Sequence, residues 1–457
     1  EGEEVTPPTA QEVIWQLIKK QAGSGTVAGM PEDTLAASDG DIAEALRAIK
    51  NATNPTIISL TSGREVYEPG VYFIDVEEEG FVYNPVTAYV SFYSYEGDEA
   101  PTGLTTAGAV AKKVDIVPEK TDDNGDKVTE IGKTVLYTIT TTVPYIASDN
   151  SAAYTITDTI SGADYILNDE KMVVSVTVGD GAPMPKEAAL ETLDDGRKSF
   201  TLSLGSDIVN ETNAGKVLVI TYSAKVTDMV VHNDVIINDG DHSASDANYL
   251  FAGTATLTKT DADSEKVLEG AEFVVRKEIT TGTGASYKYA VFEEEKDDQG
   301  VVVSYKVSTW IDEAAYEADV VKDVREFPGT NIKTGADGKV TVKGLDSSES
   351  YKFVEVVAPD GYSVNEEPAT ITWNTVNTYM IQDSAGKTEE RKDETLTEGE
   401  KLLYTKITAT GTATMEDTKL NALPSTGGIG TTIFTVAGCG IMIAAAFFFF
   451  ASRKKEN

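Results

Sequence analysis

The sequence predicts a mainly β chain: tandem β-sandwich domains, with a small mixed α+β domain in front and a transmembrane helix behind. Two observations carry this reading. From residue 112 to residue 420 the chain repeats short runs rich in β-branched residues, such as Thr134–Thr142 (TVLYTITTT) and Val217–Val226 (VLVITYSAKV). Polar turns such as 122–126 (DDNGD) separate them. Residues 429–451 then form an almost wholly apolar stretch without a charge, long enough to cross a bilayer as a helix.

The elements divide the chain into four parts. Residues 1–111 mix helix and strand. Thr9 and Glu12 form a capping box after Pro7 and Pro8, and Val13, Ile14, Leu17 and Ile18 make an apolar stripe. A second helix fits 38–50, with Ile42, Leu46 and Ile49 on one face, and strands follow at 71–76 and 88–95. Residues 112–251 and 252–420 are all β, and their many short strands with polar turns suggest immunoglobulin-like sandwiches. The second of these has an Asp337-Gly338 turn before 339–343 (KVTVK) and a long insertion over 278–333 with room for a short helix. Residues 421–457 close the chain.

Composition narrows the function. Of the 457 residues, 38 are Lys or Arg and 75 are Asp or Glu, a formal net charge of -37. Nucleic acid is excluded as a partner, because phosphate contacts need basic residues. Cys439 is the single cysteine, so no disulfide forms within the chain. The chain begins at Glu1 without a signal peptide and reads as processed or trimmed.

At the end stand Leu423, Pro424, Ser425, Thr426 and Gly427, then the apolar run, then Arg453, Lys454 and Lys455. The basic tail keeps the C-terminus cytoplasmic. This three-part end resembles the sorting signal of sortase substrates. The resemblance implies that a sortase cysteine attacks the carbonyl of Thr426. An amine on peptidoglycan precursor or on another pilin subunit then resolves the acyl-enzyme. Membrane contact would last only until sorting, leaving a secreted, wall-anchored surface protein.

Strand alternation singles out six polar residues in step with apolar neighbours. Lys259 shares its face with Ala255 and Leu257, Glu355 with Tyr351 and Phe353, and Asp417 with Ala413 and Met415. Lys120 is in step with Val114, Ile116 and Pro118, Asp158 with Tyr154, Ile156 and Ile160, and Asn233 with Val231, Val235 and Ile237. Each β region thus has an inward lysine near its start, an inward acid midway, and an inward Asn or Asp near its end. Taken singly, such a lysine reaches round to water and such an acid sits on a solvated edge. The same ordered trio in both regions argues otherwise. Burial favours a neutral amine, which is a nucleophile, and a protonated acid, which can shuttle protons. The product would be a Lys–Asn or Lys–Asp amide.

Around these residues, 256–261 (TLTKTD), 268–273 (LEGAEF), 351–362 (YKFVEVVAPDGY) and 415–419 (MEDTK) resemble the Cna protein B-type domains of Gram-positive pilins and adhesins. The resemblance implies a Lys259–Asp417 isopeptide bond promoted by Glu355. Asp417 stands where the family more often has Asn. Residues 154–160 (YTITDTI) and 231–237 (VHNDVII) resemble the sister domain of pilin shafts, which implies a Lys120–Asn233 bond promoted by Asp158. Shaft pilins of this kind carry a Tyr-Pro-Lys-Asn segment whose lysine receives the next subunit. This chain lacks it, and Lys112 and Lys113 stand at the corresponding boundary.

Little else in the sequence suggests chemistry. His232 and His242 are too few for a His-based metal site, and a polar turn accounts for Asp239, Asp241 and His242 better than a cation site does. No cofactor is expected. The expectation is a structural, sortase-polymerised pilus subunit serving adhesion. The alternatives are a wall-anchored adhesin that never polymerises and binds a host or matrix ligand, and a wall-anchored hydrolase.

Overall fold

The computed structural model describes residues 10–22, 30–37, short stretches between 41 and 90, and residues 113–144, 154–210, 212–239, 243–281, 284–313 and 329–420. The sorting motif, the apolar run, Thr9, Lys112, Asp241 and His242 lie outside these residues. Among the described residues no helix is long and apolar enough to cross a membrane.

At the front, helix Ala10–Ala22 buries Leu17 and Ile18, and Leu17 packs with Ala37, Ile42, Val71 and Phe73. The apolar stripe is narrower than the sequence suggests, since Ile14 is 48% exposed. Of the second helix, Asp41, Ile42, Ala45 and Ala48 are described and helical. Strands Gly70–Ile74 and Val86–Val90 pair antiparallel, and Phe81–Tyr83 pairs with Lys113–Asp115.

The rest is a multi-domain β-sandwich structure. In the middle sandwich, the central strands alternate buried and more exposed residues, as in the burial of Val135, Tyr137 and Ile139. Strand Met184–Thr192 belongs to both layers. Its first half pairs with Met172–Val178 and its second half with Lys198–Leu204, which folds the sheet over on itself. One layer continues through Val217–Val226 and Thr134–Thr142 to Glu119–Asp122. The other continues through Tyr154–Ser161 and Val230–Asn238 to Ser243–Phe251. The two ends meet again, where the Lys120 amide donates to Asp246 Oδ2 at 2.7 Å and Asn248 Nδ2 donates to Asp122 Oδ2 at 2.8 Å.

In the C-terminal sandwich, strand Gly253–Asp261 lies between Lys339–Leu345, antiparallel, and Lys401–Asp417, parallel. The parallel pair is close-packed at Gly411, where a Cβ would stand 2.8 Å from that of Ala255 and 2.6 Å from Ile371. The long insertion is sheet over most of its described length. Gly284–Lys296 and Val302–Asp312 form a hairpin that joins Glu272–Thr281 to Lys339–Leu345, and only Glu313 at its end is helical.

The two sandwiches meet at a plug. Ile131 is 2% exposed, its amide donates to the Gly344 carbonyl at 3.0 Å, and its own carbonyl accepts from Trp310 Nε1 at 3.0 Å. Beside it Glu130 pairs with Lys277 and accepts from the Tyr351 hydroxyl at 2.6 Å.

Candidate cross-linking sites

The first cluster lies in the C-terminal sandwich. Lys259, Glu355 and Asp417 come from Gly253–Asp261, Tyr351–Val357 and Lys401–Asp417, and all three point into the core. The side chains of Lys259 and Asp417 are in contact, and neither is exposed. The Lys259 ammonium nitrogen is 3.1 Å from Glu355 Oε1 and 5.8 Å from the Phe273 ring centre. Glu355 Oε2 accepts from the Asn365 amide at 2.7 Å. Burial is the main cause of a raised Glu355 pKa, with Asp417 adding to it and Asn365 and Lys259 opposing it. Among the described residues, Glu355 Oε1 and Asp417 Oδ2 have no hydrogen-bond donor in good geometry. Two carboxyls and one amine thus share an apolar pocket with fewer donors than acceptors. A proton on one carboxyl relieves the shortage.

The second cluster crosses between the layers of the middle sandwich. Lys120 extends from Glu119–Asp122 to touch Asp158 on Tyr154–Ser161, and both side chains are fully buried. Tyr222 joins the group. Its hydroxyl accepts from Lys120 Nζ at 2.8 Å and donates to Asp158 Oδ2 at 2.5 Å. Asn233 Nδ2 donates to the same hydroxyl at 2.9 Å, while Asn233 Oδ1 is buried without a partner among the described residues. The Tyr165 hydroxyl donates to Asp158 Oδ1 at 2.7 Å. Burial lowers the Lys120 pKa, partly offset by Asp158, and burial followed by the Asp158 charge pushes the Tyr222 phenol well above its usual range.

The structure therefore buries all six residues that alternation placed inward. It links Asn233 to Lys120 through Tyr222, while Lys120 itself touches Asp158 and Tyr222. Lys113 is exposed, with its ammonium 3.9 Å from the Phe81 ring centre. Sequence reading missed Tyr222, Tyr165 and Asn365. Tyr222 had a signal, since it alternates with the buried Leu218, Ile220 and Ala224, and a buried tyrosine hydroxyl seeks a partner. Asn365 acts through its backbone and had none. No group of three metal-ligating side chains is present among the described residues. His232 lies 2.8 Å from Asp234 and stacks on Tyr249, whose ring stacks in turn on Tyr404.

Comparison with known proteins places these clusters in context. Residues 253–387 match the SpaA prealbumin-like fold domain, and residues 416–457 match the LPXTG cell wall anchor motif. The trypsin-resistant surface T6 protein of Streptococcus pyogenes serotype M6 is 22% identical over 82% of this chain and 77% of its own length. The solved T6 backbone pilin of that serotype has the same modular fold at a TM-score of 0.50 and 16% identity, covering 86% of this chain and 91% of its own. The major pilin SpaA of Corynebacterium diphtheriae aligns over 88% of this chain and 89% of its own at 14% identity and a TM-score of 0.43. With an LPXTG cell wall anchor motif at its end, a SpaA-type prealbumin-like domain before it and a surface-protein relative along most of its length, the chain is a cell-wall-anchored surface protein that shares its modular fold with the T6 backbone pilin.

Proposed function

We propose that the chain is a polymerising pilus-shaft subunit laid out as domains 1–111, 112–251 and 252–420 with a sorting signal over 421–457, each of the two sandwiches closed by a self-formed amide bond. The supporting observation is the buried contact between Lys259 and Asp417 with Glu355 beside it. Lys259 Nζ, as a free amine, attacks Cγ of Asp417. Protonated Glu355 gives its proton to the departing hydroxyl of the Asp417 carboxyl and takes one from the amine, so that water leaves and Glu355 ends as it began. In the middle sandwich Lys120 Nζ attacks Cγ of Asn233, Asp158 relays the proton, and ammonia leaves. Tyr222 already holds Lys120 and Asn233 to one oxygen, which shortens the movement the reaction needs.

Sortase would cleave after Thr426 and pass the acyl group either to Lys112 or Lys113 of another copy or to peptidoglycan precursor. The layout of the relatives and the position of these lysines at the head of the middle domain support this reading. An immunoblot of cell-wall extracts boiled in SDS tests it. A high-mass ladder that collapses to an anchored monomer when Lys112 and Lys113 are both changed to Ala supports a shaft. A single band in the unchanged protein makes it a monomeric wall-anchored adhesin.

A further inference from the structure

Beyond Asp417 the chain stays on the sandwich. The Ser363 amide donates to the Thr418 carbonyl at 3.1 Å, Tyr362 and Lys419 form an antiparallel bridge, and the Leu420 amide donates to the Gly361 carbonyl at 2.9 Å. The side chains reinforce this. Lys419 Nζ lies 2.8 Å from Asp261 Oδ2, and the Tyr362 hydroxyl donates to that same oxygen at 2.6 Å. Asp261 Oδ1 accepts from the Ser264 hydroxyl and amide at 2.8 Å each. The Asp261 carboxylate is 1% exposed, while Lys419 is 56% exposed. Lys419 first, and Tyr362 next, hold the Asp261 carboxyl far below the usual range, so the clasp is charged at any physiological pH.

The sorting motif begins at Leu423, and only Asn421 and Ala422 separate it from the pinned Leu420. An extended chain covers about 10 Å from Leu420 to Leu423, against about 20 Å if the last fixed residue were Asp417. A sortase must take hold of the motif from Leu423 to Gly427, and the shorter reach leaves it less room beside the sandwich. We propose that Lys419, paired with Asp261, is a positioning residue for sorting: the closed clasp ties the chain to the sandwich two residues ahead of the motif, and sortase acts on molecules whose clasp is open. Sorting then favours molecules whose residues 418–420 have come free, and the clasp sets how often that happens.

The test is transpeptidation of the full chain in detergent micelles, with a purified sortase that cleaves LPXTG substrates and an oligoglycine amine. The substrates are the unchanged protein, Lys419→Ala, Lys419→Arg, and a form with a short Gly-Ser linker inserted after Leu420. Lys419→Ala is expected to raise kcat/KM about two- to five-fold, mainly by lowering KM, as losing a partly exposed ion pair allows. The linker form should gain at least as much, show no further gain from Lys419→Ala, and Lys419→Arg should match the unchanged protein. Intact masses that agree, once the substitutions are allowed for, show that the fold and its cross-links are undisturbed. Equal kcat/KM for the unchanged, Lys419→Ala and linker forms overturns the proposal.

Discussion

Lys259 and Asp417 sit on neighbouring parallel strands and touch in the core, although 158 residues separate them along the chain. These strands open and close the C-terminal sandwich, so everything between them lies off the direct path from one end to the other. A covalent bond here would carry load from Gly253–Asp261 straight into the strand that leads to the anchor. The Lys120–Asn233 pair would do the same across the middle sandwich.

Lys259→Met should therefore destabilise the C-terminal sandwich strongly. Loss of the tie frees the unfolded chain by about 5 kcal/mol, and the Asp417 carboxyl, otherwise consumed in the amide, is left buried beside Glu355. Calorimetry should show a large fall in one melting transition, with new protease cuts confined to residues 253–417.

The two bonds should form with opposite pH slopes. Glu355 has a raised pKa, so its acid form is present below that value and is lost as pH rises through it. Closure of Lys259 onto Asp417 should slow with rising pH there. Lys120 has a pKa lowered by burial, so its neutral amine persists below the usual lysine range and is lost as pH falls through the lowered value. Closure onto Asn233 should slow with falling pH. Mass time courses after cell-free synthesis at several pH values check both signs.

Tyr222→Phe should slow closure in the middle sandwich by about ten-fold, the worth of one to two buried hydrogen bonds. The ring keeps its packing against Tyr137 and Phe200, so folding should persist. The same time course reads the rate, and the bond at Lys259 should form as before.

Glu130→Ala should loosen the joint between the sandwiches. It removes the partner of Lys277, whose side chain is 12% exposed, and the acceptor of the Tyr351 hydroxyl. The cost should be about 1–3 kcal/mol. Spin labels on the two sandwiches should report a broader distance distribution, with both cross-links still present by mass.

Much of this was legible because strands have a period of two. That period alone put Lys259, Glu355 and Asp417 on inward faces with Ala255, Phe353 and Met415, and the structure buries all of them. Strands Thr134–Thr142 and Val217–Val226 were visible from their β-branched residues. What stayed hidden depends on contacts between distant segments. Ile131, for one, plugs the joint against Gly344, whose φ of 95° suits glycine. The insertion left room for a short helix in the sequence, yet its described residues are mainly a hairpin, with exposed charges at Glu293, Glu294 and Lys296. Lys419 stands far from Asp261 in the sequence, and only the fold brings the two together.

The most direct test of the account is the intact mass of residues 1–422, beside the same protein carrying Glu355→Ala or Asp158→Ala. The account predicts that the unchanged protein is lighter than its sequence by one water plus one ammonia. Glu355→Ala should regain the water, and Asp158→Ala the ammonia. A full sequence mass for the unchanged protein would contradict it, leaving both clusters as ordinary buried ion pairs in a wall-anchored protein.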